Sequence, residues 1–196
     1  MSNALLEDWN TPFEIAPFDK ISDDDFSPAF DQALEADMQE TLIVANNPEQ
    51  PTFTNTIEAL MQTGKDLDKV LSVFYSIAGA DSNEAREALM REFSPKLSVH
   101  SSEIIANKEL FTRIDKLWTR HDDLGLNSEQ SRVLMLMHRN FVRAGAALEG
   151  YAKDRMRAIK SRLAVLGTEF SQNLLKDERS WHCLLYTSPS PRDSDS

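Results

Sequence analysis

Apolar side chains recur at alternating steps of three and four residues along most of this chain. The clearest series are Ile57, Leu60, Gly64, Leu67, Leu71, Phe74 and Ala78, and then Met156, Ile159, Leu163, Leu166, Phe170 and Asn173. This spacing places each series on one face of an α-helix. Strand signals are almost absent, and only 6 glycines and 8 prolines interrupt the 196 residues. The sequence therefore predicts an all-α fold, in which short connections favour antiparallel helical hairpins.

An irregular lead-in is predicted up to Asp25, followed by six helices. Five helix starts are predicted from residues that cap a helix or open its first turn. They are Ser27 with Pro28, Asn55 with Glu58, Asp81 with Glu84, Asn107, and Asn127. Pro95 lies inside the third helix and is expected to kink or break it, because proline has no backbone N–H. Gly145 either ends the fifth helix or lies within one long helix that reaches Asp177.

The helical period stops just after Trp181. Residues 183–196 include two prolines and several serines and have no apolar face. We interpret this segment as non-native, namely vector or sequencing-adapter sequence fused to a cut reading frame; a natural disordered tail is the alternative. The expected organisation is a lead-in over residues 1–25, an incomplete N-terminal helical domain over 26–182 and a tail over 183–196. On this interpretation the chain is the front part of a larger protein.

The formal charge of −11 at pH 7 limits the classes of partner. An acidic body argues against nucleic acid, whose phosphates require a basic face, and against an anionic membrane surface. The first 13 residues lack an apolar segment of signal-peptide length, and no run is long enough to span a bilayer. The sequence therefore predicts a cytoplasmic protein with no nucleic-acid or membrane partner.

A search for catalytic motifs finds none that is complete. No two of the four histidines lie three or four residues apart, so the zinc-binding HExxH spacing is absent. His100 and Glu103 lie one helical turn apart and offer two metal ligands, but without a third ligand a surface pair is the favoured interpretation. The only cysteine, Cys183, is in the tail, and no serine lies in a nucleophile elbow. No catalytic, cofactor-binding or metal-binding residue is therefore predicted.

Three further groups have a structural and a functional interpretation, and the structural one is favoured for each. The acidic run at residues 23–25 is expected to be solvated and to complement the positive end of the next helix, rather than to bind metal. The basic residues Arg155, Arg157, Lys160 and Arg162 are expected on a solvated helix side, rather than against an acidic partner. Trp118, with Phe111 and Ile114, is expected in the core rather than as a platform for ligand stacking. Arg143 and Tyr151 receive no role.

Several blocks, in collinear order, are similar to the zinc oligopeptidases of the thimet type, the M3 metallopeptidases. The blocks are Thr11–Ile21, Phe26–Phe30, Asn47–Ile57, Val73–Phe74, Asn107–Ile114, Phe141–Leu148 and Phe170–Leu175. The segment Asn47–Ile57 resembles the family pattern NPxxPTFxNTI. The resemblance covers residues 6–181, and the pattern is closer to the bacterial peptidyl-dipeptidases than to oligopeptidase A. It implies that the chain is the first quarter of a peptidase.

The resemblance also implies the chemistry of the whole protein. In such enzymes two histidines and a glutamate hold zinc, which activates a water, and the glutamate of HExxH takes the proton. Those residues lie further along the family's sequence, and none can be assigned to a position here. The N-terminal helices form one wall of a channel that admits short peptides, from which peptidyl-dipeptidases remove C-terminal dipeptides. The resemblance thus implies zinc and peptide substrates for the whole protein and an inactive fragment.

A non-enzymatic helical module, whose acidic surface recognises a partner helix, is the alternative. The helical composition of the chain and its lack of a catalytic motif fit this alternative, whereas the collinear family blocks count against it. The binding-module and peptidase-fragment interpretations predict different behaviour in solution, because a module should be monodisperse and unfold in one step. A severed channel wall should instead aggregate or stay molten.

Overall fold

The computed structural model describes residues 3–180, and in this part of the chain the regular elements are helices and turns, with no strand. The all-α prediction is confirmed. The predicted tail over 183–196, with Cys183 and the preceding His182, lies outside the described residues. The six α-helices are α1 Phe26–Ala45, α2 Lys65–Ala80, α3 Glu84–Ala106, α4 Lys108–Thr119, α5 Ser128–Ala144 and α6 Gly150–Ser180.

The lead-in is more ordered than the sequence predicts. It forms three short 3-10 turns, at Pro12–Glu14, Phe18–Lys20 and Asp23–Asp25. Its apolar residues Leu5 and Ala16 are buried in the core of α1 and α2. These side chains explain why residues before α1 hold a fixed path.

The predicted cap of α1 is wrong. Ser22 and Asp25 form a capping box on the 3-10 turn that leads directly into the helix, so the helical path begins before Ser27. The hydroxyl of Ser27 instead donates to Glu92 Oε1 on α3 at 2.9 Å. Pro28 lies in the first turn, where its missing N–H leaves no hydrogen bond unmade.

The segment before α2 also differs from the prediction. Thr52, not Asn55 with Glu58, begins the capping box: its hydroxyl accepts from Asn55 N, and Asn55 Oδ1 accepts from Thr52 N. One turn of π-helix follows over Phe53–Glu58. The predicted continuous helix is interrupted at Gly64, which has a φ of 72° and precedes α2. A positive φ suits glycine, which has no Cβ to clash.

Helix α3 begins one residue after Asn83, whose side chain accepts from Arg86 N at 2.9 Å. The predicted cap by Asp81 with Glu84 is therefore wrong. The helix runs unbroken through Pro95. Phe93 before the proline is fully buried, and His100 after it pairs with α1, so both sides are held on their neighbours.

The first residues of α4 and α5, and the last turn of α5, follow the predicted signals. Asn107 accepts from Leu110 N at 2.9 Å, and Asn127 forms a capping box with Gln130. Gly145, at a φ of 95°, ends α5, and the N–H of Ala146 donates to Phe141 O at 3.0 Å. This is the Schellman arrangement, which satisfies the last carbonyls of a helix. Gly145 therefore ends α5, and α6 is a separate helix.

Two apolar cores lie within residues 3–147. The first joins α1, α2 and α3 through buried aromatic rings, and the second joins the end of α1 to α4 and α5. The fully buried side chains of the two cores include Phe26, Phe30, Phe74 and Phe93, and Ile57, Leu110, Ile114, Leu117 and Leu134 respectively. Because α1 contributes to both cores, it is the central helix of this part of the chain.

The chain divides into two compact units at the boundary between Ala147 and Leu148. The second unit contains α6. Five large apolar side chains at steps of three and four along α6 are exposed: Ile159, Leu163, Leu166, Phe170 and Leu174. Within residues 3–180, no helix has both the length and the apolar character required to cross a membrane.

Candidate functional site

The acidic run lies at the start of α1, as predicted, but two of its carboxylates have specific partners. Asp23 Oδ1 accepts from Arg86 Nε at 2.8 Å, and Asp25 accepts from the backbone N–H of Ser22 at 2.8 Å. These hydrogen bonds lower the pKa of both carboxyl groups. The run therefore ties α1 to α3 through Arg86, rather than remaining fully solvated.

The lowered pKa of Asp23 predicts a pH dependence of stability. A carboxyl group with a lower pKa in the folded chain stabilises the fold above its unfolded pKa, near 4, and this contribution is lost as the pH falls through the folded pKa. Urea unfolding at pH 6 and at successive steps below pH 4 measures the loss. We expect Asp23→Asn to reduce the slope of unfolding free energy against pH in that range. The exposed neighbour Asp24→Asn is the control, and equal slopes for the two variants would contradict the prediction.

Arg113 on α4 is the most heavily bonded polar side chain of the first unit. Its Nη1 donates to the backbone oxygens of Asn47 at 2.6 Å and Glu49 at 2.9 Å. Its Nη2 donates to Asn55 Oδ1 at 2.9 Å and Thr56 Oγ1 at 3.1 Å. Burial lowers the pKa of this guanidinium, which still remains charged at neutral pH. The charge is thus used to hold the connection between α1 and α2.

Trp118 packs against the second core, as predicted, and also stacks with two histidines. Its ring lies 4.3 Å from that of His121 and 5.2 Å from that of His138, centroid to centroid, with both pairs nearly parallel. His138 Nε2 lies 2.9 Å from Asp115 Oδ1. The three stacked rings and Asp115 therefore form one cluster that joins α4, the following turn and α5.

His100 is not the surface residue that the sequence predicts. Its Nε2 lies 2.6 Å from Asp37 Oδ2 on α1, and the two side chains are only 9% and 10% exposed. Glu103, the expected companion, is exposed and makes no ion pair among the described residues. The buried pair joins α3 to α1 and is the only close carboxylate–imidazole pair buried to this degree in residues 3–180. No signal near His100 in the sequence indicates Asp37.

The zinc implied by the resemblance does not fit the residues that the structure describes. A zinc site in a peptidase needs three protein ligands, whereas His100 with Asp37 and His138 with Asp115 are pairs. In residues 3–180 no three side chains of histidine, cysteine, aspartate or glutamate are grouped to hold a metal ion.

The remaining candidates lie on or near α6. The side chains of Arg155, Lys160 and Arg162 are exposed, which fits the predicted solvated side; that of Arg157 lies outside the described residues. Arg143 and Tyr151 are also exposed. Among the described residues of α6, no three potential metal ligands are grouped.

Comparison with curated proteins identifies the class to which this chain is related. It is a homologue of the M3 peptidases over most of its length, as the sequence blocks predict. It is 36% identical to the dipeptidyl carboxypeptidase of Escherichia coli K12 over 178 residues, which are 91% of this chain and 26% of the relative. The corresponding protein of Salmonella typhimurium LT2 is 35% identical over 195 residues, 96% of this chain and 29% of the relative.

Oligopeptidase A of Escherichia coli K12 is a more distant relative. It is 28% identical over 182 residues, which are 92% of this chain and 26% of that protein. No family model matches the chain. The chain spans between a quarter and a third of the length of the relatives it matches, and the identity is higher to the dipeptidyl carboxypeptidases, as the sequence pattern predicts.

Proposed function

We propose that this chain is the N-terminal part of a zinc metallopeptidase that cleaves short peptides and releases C-terminal dipeptides. The proposal rests on the similarity to a dipeptidyl carboxypeptidase. The two sequences are 36% identical over 91% of this chain, and the matched region is 26% of the relative's length. Zinc and its ligands are assigned to other parts of that protein, because residues 3–180 do not fit the metal. The acidic charge supports the part of the proposal that excludes nucleic-acid and anionic-membrane partners, and a cytoplasmic location completes it.

In this proposal the helices serve as a wall of the substrate channel and select peptides by size. The exposed apolar face of α6, which runs from Ile159 to Leu174, supports a role within a larger protein. An apolar stripe of this length on a helix is typical of a surface that another part of a protein covers. The wall contributes no group to bond cleavage, so its effect is on which peptides enter.

The first test asks whether the chain alone has activity. Purified chain is incubated with zinc and a fluorogenic peptide that is blocked at its N-terminus and free at its C-terminus. Intact Escherichia coli dipeptidyl carboxypeptidase is the positive control. We expect no release of dipeptide, because the described residues offer no zinc site. Zinc-dependent release that co-purifies with the chain would contradict the proposed division of roles.

The second test asks whether the chain can serve as the wall. The 178 matched residues replace the corresponding segment of the Escherichia coli relative, and dipeptide release from peptides of increasing length is measured. We expect the chimera to release dipeptides with zinc and to show a changed length preference. A chimera that folds and binds zinc but releases nothing would contradict the proposal.

The acidic binding module remains the second candidate, favoured by the charge of −11 and the exposed face of α6. The chimera separates it from the first candidate, because a module of unrelated function has no reason to complete a peptidase. Size-exclusion chromatography of the chain adds a second criterion, since a module is expected to be monodisperse.

A further inference from the structure

Helix α6 has an apolar seam that repeats every seven residues. Its apolar members are Met156, Ile159, Leu163, Leu166 and Phe170, which alternate at steps of three and four residues. Asn173 occupies the next position of the series, and Asp177 ends it. This spacing places the members at the a and d positions of successive heptads, where the helices of a coiled coil meet. Such a series, with charged residues beside it, predicts that the helix pairs with another helix.

The side chains of the seam are accessible to a partner. Four of its members are between 41% and 69% exposed, namely Ile159, Leu163, Leu166 and Phe170. Leu174, which lies beside the seam, is 48% exposed. Helix α6 is 31 residues long, and the seam from Met156 to Asn173 extends over about 26 Å along the helix axis. A helix in water gains most of its stability from the packing of its apolar face, so a partner helix along this seam would stabilise α6.

The charged residues beside the seam restrict the partner. Arg162 and Glu169 occupy g positions, each directly before a seam residue, and both side chains are exposed. They are seven residues apart and do not meet within one helix, where residues three or four positions apart are neighbours. The residues three and four positions from each of them are uncharged. Helix α6 itself therefore supplies no ion-pair partner for either charge, and a partner helix that offers a glutamate and an arginine at matching positions supplies both.

A second copy of α6 in the antiparallel orientation offers these charges at the matching positions. When Leu163 lies opposite Leu166 of the second copy, two-fold symmetry also places Leu166 opposite Leu163 of the second copy. The next layers outward on both sides are apolar as well. In an antiparallel pair the g positions of the two helices are adjacent, so Arg162 lies beside Glu169 of the second copy. The symmetry repeats this ion pair, so that two opposite-charge pairs flank the centre of the seam.

The parallel orientation does not fit the charges. In that orientation the g position of one helix lies beside the e position five residues further along the other helix. Arg155 would lie beside Lys160 of the second copy, twice, and Arg162 beside Gly167. The antiparallel pair also has one kind of like-charge contact, between Arg155 and Lys176, but this contact lies at the ends of the seam. Antiparallel helices also place opposite ends of their macrodipoles together, which is stabilising.

We propose that two copies of this chain associate through α6 as an antiparallel coiled coil. Leu163 and Leu166 of both copies form the central layers, and Arg162 of each copy forms an ion pair with Glu169 of the other. The surface is thus self-complementary in its apolar pattern and in its charge. The proposal uses only the side chains of α6 and does not rest on the proposed function. Its experiments need no peptide substrate, so their failure is separate from a failure of the peptidase chimera.

Sedimentation equilibrium of the full chain tests the association. We expect a dimer of the 22.2 kDa chain, which dissociates on dilution. Leu166→Glu puts a carboxylate at the centre of the seam and is expected to raise the dissociation constant about a hundredfold or more, because the charge is buried without a partner. Tyr151→Glu is the matched control. It introduces the same residue into α6 at a position outside the seam that is 84% exposed, and it should leave the dissociation constant unchanged.

A charge exchange tests the register of the two helices. Arg162→Glu alone puts two carboxylates side by side, and Glu169→Arg alone puts two guanidinium groups side by side. Each is expected to raise the dissociation constant about tenfold, because two attractive pairs of the dimer become repulsive. The double variant Arg162→Glu/Glu169→Arg restores both pairs and the net charge, so it should associate within about twofold of the parent chain. Circular dichroism verifies that each variant is helical.

Cysteine cross-linking tests the orientation in a Cys183→Ser background. The antiparallel pair places Met156 opposite Asn173 of the second copy, whereas the two copies of either residue lie about 26 Å apart. A disulfide needs Cα atoms within about 7 Å. We therefore expect mild oxidation to join a mixture of the Met156→Cys and Asn173→Cys chains and to leave each variant alone without a cross-link.

Three results would overturn the proposal. A chain that is monomeric at all concentrations would assign the seam to a helix of another protein or of a longer peptidase. A cross-link in Met156→Cys alone would show a parallel pair. A helical double charge variant that associates no better than the single variants would show that Arg162 and Glu169 do not meet. The charge exchange is decisive, because the single variants and the double variant differ only at two exposed positions.

Discussion

Replacement of Arg113 with alanine is expected to lower the free energy of unfolding by about 3 kcal/mol. The guanidinium donates four hydrogen bonds to the connection between α1 and α2, and two of the acceptors are backbone carbonyls, of Asn47 and Glu49. Truncation removes four hydrogen bonds from a charged donor and takes this donor away from the buried hydroxyl of Thr56, which is why the loss exceeds that of a single ordinary hydrogen bond. Urea unfolding followed by tryptophan fluorescence measures the change.

Two further variants separate the geometry of Arg113 from its charge. Arg113→Lys keeps the charge, but a single ammonium cannot reach four acceptors in the fork arrangement of a guanidinium, so we expect an intermediate loss. Arg120→Ala removes a single, part-buried hydrogen bond to Pro51 O in the same connection and should cost about 1 kcal/mol. If Arg113→Ala and Arg120→Ala were equally stable, Arg113 would not be the anchor of this connection.

The hydrogen bonds of Arg113 give a physical reason for the family-like segment Asn47–Ile57. The prolines and the capping box of that segment fix its local path, and Arg113 ties this path to α4 from more than fifty residues away. The sequence predicted the segment as a block of the family but not its partner. A pattern of neighbouring residues reports local conformation and contains no information about a distant donor.

The same distinction explains the other successes and errors. Asn107 and Asn127 were predictable as caps, because each bonds a backbone N–H three residues away. The partner of His100 was not predictable, because Asp37 lies 63 residues from it. The sequence predicts Gly64 within a helix, because the apolar spacing continues across it, whereas the spacing of side chains contains no information about its positive φ.

Replacement of Phe93 with alanine is expected to have the largest effect on the first unit, about 3–5 kcal/mol of unfolding free energy. The ring is fully buried, stacks on Phe30 with centroids 4.0 Å apart and meets the edge of Phe74 at 5.0 Å. It thereby joins α3 to both α1 and α2. Its removal leaves a cavity at the junction of three helices, which cannot collapse without moving one of them.

Two control variants differ from Phe93→Ala, one in the exposure of the ring that is removed and the other in the buried volume that is lost. Phe13→Ala removes a ring that is 95% exposed and should change stability by less than about 0.5 kcal/mol. Phe93→Leu keeps much of the buried volume and should cost about 1–2 kcal/mol, between the two. Urea unfolding of all three variants measures this order. A loss below about 1 kcal/mol for Phe93→Ala would mean that α3 is not held by the aromatic core, and that the ion pairs of Arg86 and Lys96 fix it on α1 instead.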